Sequence, residues 1–162
     1  MGFSSGKKYY STTDALALLK KYCAYQERCH QEVRTRLLRC GLRGNDLENL
    51  ITKLIDENFL NEERFAIAFA GGKFRLKNWG RKKIEQQLKA KGISTYCIAK
   101  AMKEIDTPNY KKTMLILLEK KAAALKDKNI FTRKQKLSNY LIRKGYETEL
   151  VFQHVNDYYD HE

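Results

Sequence analysis

Apolar residues recur along this chain at intervals of three and four, the spacing that aligns one face of an α-helix. Ala15, Leu18, Leu19 and Tyr22 predict a first helix that starts near Thr12-Thr13-Asp14, with hydroxyl caps, and runs to about Tyr25. Val33 and Leu37 mark a second over Glu32 to Cys40, closed by Gly41; Leu47, Leu50, Ile51 and Leu54 mark a third. Asn61 caps a fourth, with Glu62 and Glu63 at the positive end of its dipole and Phe65, Phe69 and Lys73 carrying it forward. Gly71-Gly72 within it predicts a bend or the close approach of a neighbour, because two interior glycines cost ~2 kcal/mol against alanine. Gly80 precedes a fifth helix, with Ile84 and Leu88 inward and Gly92 at its end. Ser94 caps a sixth through Ile98, Ala101, Met102 and Ile105. Thr107-Pro108 reads as a cap and first-turn proline for a seventh, built on Met114, Leu115, Leu117, Leu118 and Ala122. After a loop at Lys126-Asp127-Lys128-Asn129, Thr132 caps an eighth helix on Leu137 and Leu141 that stops at Gly145. Val151, His154, Val155 and Tyr158 give a ninth.

The pattern repeats. Val33, Ile84 and Leu137 correspond, as do Leu37, Leu88 and Leu141, then Gly41, Gly92 and Gly145, then Leu42, Ile93 and Tyr146. Units of this size have small cores and gain stability by stacking on neighbours. The expected fold is all-α: three tandem three-helix repeats (12–58, 59–106 and 107–162) forming an elongated, curved array after a flexible N-terminal tail over 1–11. The competing arrangement is a compact nine-helix bundle. Either way, the basic connection from Lys73 to Lys83 is the part the repeat itself does not require.

Charge changes the picture more than composition does. The net charge is +13, and residues 147–162 carry five acids (Glu147, Glu149, Asp157, Asp160, Glu162) without a Lys or Arg, so the remainder stands at +18. Such a field attracts polyanions or acidic protein surfaces. No apolar run is long enough to span a membrane, and no cleavable leader or myristoylation pattern opens the chain, so a cytoplasmic protein is expected. Cys23, Cys29, Cys40 and Cys97 lack C-x-x-C spacing, which argues against structural zinc even with His30 beside Cys29 and favours reduced thiols. No nucleophile–base set and no phosphate-cradling glycine loop is present, so neither an enzyme nor a cofactor is expected.

What remains is basic surface. Lys73, Arg75, Lys77, Arg81, Lys82 and Lys83 crowd the fourth and fifth helices, with Phe74 and Trp79 interleaved for stacking on bases or anchoring in a protein pocket. A second set, including Lys111, Lys112, Arg133, Lys134, Arg143 and Lys144, falls on the seventh and eighth helices. The acidic C-terminal stretch either folds back on one of these sets or meets a basic region of a partner. Helix pairs joined at glycine also invite a helix-turn-helix reading, but the candidate recognition helices (47–55, 98–105, 150–159) lack the outward Arg, Asn and Gln of a major-groove reader.

Asn61-Glu62-Glu63-Arg64-Phe65-Ala66, then a basic run with Gly80, then Ile84, Leu88 and Lys91-Gly92-Ile93, resembles the signature of the RecX family. Ala15-Leu16 and Leu19 with Glu32-Val33, Leu37 and Gly41 resemble its first repeat; Leu137, Leu141 and Arg143-Lys144-Gly145-Tyr146 resemble its last. The resemblance covers about 12–158. It departs at Gly71-Gly72, where larger and often basic residues are usual, at Trp79, where small residues are usual, and at Cys29, in a cap position often held by Ser. It implies a non-enzymatic, monomeric regulator that binds the RecA recombinase filament on single-stranded DNA and limits its growth, strand exchange and ATP hydrolysis. Direct contact with single- or double-stranded DNA is a further implication. The alternative is a general nucleic-acid binder held by charge. Candidate contacts, chosen by charge, are Lys73, Arg75, Lys77, Trp79, Arg81, Lys82 and Lys83 in the middle repeat and Lys111, Lys112, Arg133, Lys134, Arg143 and Lys144 in the last. Arg64 either joins them or pairs with Glu62 or Glu63.

Overall fold

The computed structural model describes residues 9–162, and among them the secondary structure is nine α-helices with no strand. These are α1 (Thr12–Tyr25), α2 (His30–Arg39), α3 (Gly44–Asp56), α4 (Glu62–Lys77), α5 (Arg81–Ala90), α6 (Thr95–Lys103), α7 (Thr107–Ala124), α8 (Ile130–Lys144) and α9 (Thr148–Asp160). The described residues divide into two compact units, 9–65 with Lys91–Ile93, and Ala66–Ala90 with Ser94–Glu162.

In the first unit, α1, α2 and α3 pack on one another around Ala15, Leu19, Val33, Leu37 and Leu54, none of which is exposed to solvent. Most of the sequence-read tail, residues 1–8, lies outside the described residues. Its last three residues belong to the fold: Tyr10 donates its N–H to Cys40 O at 3.0 Å, and Ser11, not Thr12 or Thr13, caps α1 by accepting from Asp14 N. Cys29 is buried at the start of α2, and its N–H reaches the Glu32 carboxylate at 2.9 Å. Burial raises the Cys23, Cys29 and Cys40 thiols above their ordinary pKa, which keeps these buried free cysteines protonated. Arg64 is structural, and its ion pair reaches across to Glu27. Its guanidinium pairs with Glu27 and bonds Asn58 Oδ1 and Asn58 O at 3.1 and 3.0 Å, closing the turn before α4 around Asn58, whose φ is +63°.

In the second unit, α5 packs on α6, and α8 packs on both α7 and α9. Ile84, Leu88, Met114, Leu137, Leu141 and Val151 are fully buried. Asp106 caps α7 by accepting from Asn109 N at 3.0 Å, one residue before the expected Thr107, which is helical. Asn129 caps α8 through Phe131 N and Thr132 N, so the expected cap Thr132 lies inside the helix. On α9 the inward tyrosine is Tyr159, 5% exposed, rather than Tyr158. α4 runs unbroken through Gly71-Gly72: a methyl group at Gly72 would meet nothing within 4 Å, and one at Gly71 would first meet the guanidinium of Arg75, four residues on.

The repeat read from the sequence carries conformation as well as burial. Val33, Ile84, Leu137, Leu37, Leu88 and Leu141 are all 0% exposed, and Gly41, Gly92 and Gly145 have φ of +88°, +75° and +102°. Each glycine thus stands in the left-handed conformation that ends a helix without a Cβ clash. Ile84→Ala or Leu88→Ala should therefore cost ~2–5 kcal/mol by emptying a closed core position. Chemical denaturation measures this directly, and an unchanged midpoint would contradict the assignment.

Candidate functional site

A basic surface forms where α4 ends and α5 begins, all within the second unit. α4 finishes at Lys77; Asn78 follows with φ +55°, a left-handed position that asparagine tolerates better than most residues. Its N–H reaches Phe74 O at 3.0 Å, and that of Trp79 reaches Lys73 O at 3.3 Å, so the chain turns back over the last turn of α4.

α5 then opens against the end of α8. The first N–H groups of a helix and its last carbonyls have no partner within the helix. Here each helix end supplies what the other lacks. Gly80 N donates to Lys144 O at 2.8 Å, Lys82 N donates to Gly145 O at 2.9 Å, and Arg81 N donates to the Tyr110 hydroxyl at 3.0 Å. A methyl group at Gly80 would overlap the backbone of Gly145 and Tyr146, and one at Gly145 would overlap Lys83 Cβ and Gly80 O. Two glycines are needed because two backbones touch.

Aromatic side chains lock this joint. Tyr110 accepts from Arg81 and donates to Glu147 Oε2 at 2.7 Å, while Tyr146 donates to Asn78 O at 3.0 Å. The Tyr110 ring packs 5.1 Å from that of Tyr146 and 5.9 Å from that of Phe74, and Arg81 stacks on it at 4.1 Å. Arg81 also donates to Ile105 O and Thr107 Oγ1 at 3.2 and 3.3 Å. Phe74 and Arg81 thus hold the joint together. The connection that the repeat pattern leaves free is itself a packing element of the second unit.

Burial, then the hydrogen bond to Glu147, raises the Tyr110 phenol well above its ordinary value; burial does the same for Tyr146. In the unfolded chain both ionise near 10.0, while in the fold both stay protonated. Their contribution is whole below that value and lost as pH rises past it. Denaturation midpoints should fall between about pH 9 and about pH 11, and less steeply for Tyr110→Phe. Identical slopes in the two proteins would contradict this.

The joint displays cations. Arg75, Lys77 and Lys82 are exposed. Lys73 and Lys83 hold their ammonium groups 5.0 and 4.5 Å from the centre of the half-buried Trp79 ring, and Lys144 Nζ reaches Lys77 O at 3.3 Å. Among the described residues none of these six is paired with a carboxylate. α5 carries Arg81, Lys82 and Lys83 in its first turn with no acid, against the preference of a helix N-terminus for negative charge. The carbonyl end of α8 offsets this. Lys144 brings the third-repeat basic set to the middle-repeat set, a meeting that sequence spacing does not reveal. Lys111, Lys112 and Arg143 are exposed elsewhere on α7 and α8. Arg133 and Lys134 face the chain's own acids: Arg133 lies 3.6 Å from Glu162 and Lys134 3.3 Å from Asp160. Of the two fates read for the acidic C-terminal stretch, folding back is the one observed.

Among the described residues no helix is long and apolar enough to cross a membrane. Models of the RecX second and third three-helix domains match residues 61–102 and 112–155, together more than half of the chain. The regulatory proteins RecX of Bacillus cytotoxicus and Bacillus mycoides are each 25% identical over 130 residues, covering 80% of this chain and 48% of theirs. The chain thus spans about half the length of the curated relatives it matches. The crystal structure of RecX from Lactobacillus salivarius superposes with a TM-score of 0.81 at 20% identity, over 93% of this chain and 97% of that one. A second crystal structure, of a regulatory protein RecX, gives 0.77 at 21% identity over 90% and 73%. The solved structures share the fold, and with the two domain matches they establish that this chain belongs to the RecX family.

Proposed function

We propose that this chain is a non-enzymatic regulator of a RecA-type recombinase, binding its filament on single-stranded DNA and limiting filament growth, strand exchange and ATP hydrolysis. The observation that carries this reading is the group of unpaired cations (Lys73, Arg75, Lys77, Lys82, Lys83 and Lys144) held on a rigid joint rather than on a loose loop. Family membership supports it, as do acidic positions that balance so many of the other cations internally. In this reading the chain acts as a monomer in the cytoplasm, in DNA repair and recombination including the SOS response. Its three three-helix repeats lie along the filament, with Lys111, Lys112 and Arg143 as further contacts.

The second reading is electrostatic binding to nucleic acid alone, favoured by the Trp79 ring among lysines. Salt separates the two. Phosphate contacts release counterions, so a purely electrostatic binder loses affinity steeply for bare single-stranded DNA as salt rises. Binding measured by anisotropy should be tighter, and less salt-sensitive, for recombinase-coated than for bare DNA. Equal affinity and equal salt slopes would select the second reading.

A further inference from the structure

A surface remote from the α4–α5 joint has the makings of a second binding site. Between α8 and α9 runs a groove whose walls carry two exposed aromatic rings, Phe131 at 73% and Phe152 at 49% exposure. Val155 and Ser138 form its floor, and the amides of Gln135, Asn139 and Asn156 line its sides. Lys134 lines it as well, and its ammonium rests 3.3 Å from both Asn156 Oδ1 and Asp160 Oδ1. Next to it Arg133 is under-satisfied: Nη1 is 3.6 Å from Glu162, beyond hydrogen bonding, and its buried Nε has no acceptor among the described residues. A buried donor without a partner is costly.

We propose that this groove docks a short acidic–apolar peptide segment of a partner protein. The peptide carboxylate replaces Asp160 on Lys134, and its apolar side chain lies against Phe131 and Phe152. Three features favour a peptide. The internal ligand already on Lys134 is a carboxylate, two-thirds exposed and easily displaced. Side-chain amides lining a groove match peptide N–H and C=O groups. Asp160 and Glu162 on the rim repel a phosphodiester chain, whereas a single carboxylate has only to displace one of them. This surface is separate from the joint, so its failure and that of the filament reading are distinguishable.

The test is anisotropy with a labelled short Leu-containing peptide that carries a single Asp, beside a labelled oligothymidylate of equal length. The peptide should bind, and Asp160→Asn should tighten it about threefold by removing an exposed ion-pair competitor. Phe131→Ala with Phe152→Ala should weaken it at least about tenfold through lost apolar burial, with unchanged helical circular dichroism because both rings are exposed. In Lys134→Gln, the effect of changing Asp160 should vanish. The proposal is overturned if the peptide does not bind, if binding ignores the two phenylalanines or Asp160, or if the oligothymidylate shows the same dependences.

Discussion

Gly145→Ala should destabilise the chain by ~2–5 kcal/mol, from a left-handed backbone penalty and an overlap that no flexible side chain can relieve. The position has φ +102°, and an added Cβ would overlap Lys83 Cβ and the Gly80 carbonyl oxygen. Gly80→Ala should follow it, because its methyl group would meet the backbone of Gly145 and Tyr146 rather than a movable tip. Both changes pry apart the two hydrogen bonds that the start of α5 donates to the end of α8, Gly80 N to Lys144 O and Lys82 N to Gly145 O. Gly72→Ala is the internal control. It lies inside α4 with open space around it, so the same chemical change should stabilise by about 1 kcal/mol through helix propensity. Urea denaturation of the three variants measures all of this. Equal effects at Gly72 and Gly145 would mean that the joint does not exist as described.

The second large effect is functional. Replacing Lys73, Arg75, Lys77 and Lys82 together by Glu should weaken filament binding about a hundredfold, from roughly 0.7 kcal/mol per contact over four contacts. Most of the loss should appear in the association rate and in a reduced salt dependence, since unpaired surface cations steer encounter. Folding should survive. Arg75, Lys77 and Lys82 are exposed and unpaired, and Lys82→Glu puts an acid in the first turn of α5, where the dipole favours it. Lys73 forfeits its contacts with the Phe69 and Trp79 rings, both at a half-exposed surface. Full binding by the folded variant would remove this surface from the account.

Local physics explains what could be read from the sequence. Helical spacing located every helix, and the glycines at 41, 92 and 145 marked three helix ends, because both signals depend on neighbours within a turn or two. Caps slipped by a residue or more where two competent residues stood close, as with Asp106 before Thr107 and Asn129 before Thr132. The joint was not legible. Gly80 and Gly145 are 65 positions apart, and nothing local says that their backbones touch. Tyr110 sits at an unremarkable place on α7, yet it receives Arg81 and holds Glu147. Charge alone therefore grouped Arg81 with the binding residues, although it bonds Ile105 and Thr107 and stacks on Tyr110. It also grouped Arg133 and Lys134 with them, although Glu162 and Asp160 turn onto these two.

On the proposed reading, the cations of the α4–α5 joint regulate a recombinase filament. The most direct measurement titrates the chain, and its folded charge-reversed variant, into RecA filaments on single-stranded DNA while ATP hydrolysis and filament length are followed. The unaltered chain should lower both in a saturable manner, and the variant should leave both near their starting values. Hydrolysis and length unchanged at excess protein, or lowered equally by the variant, would contradict it.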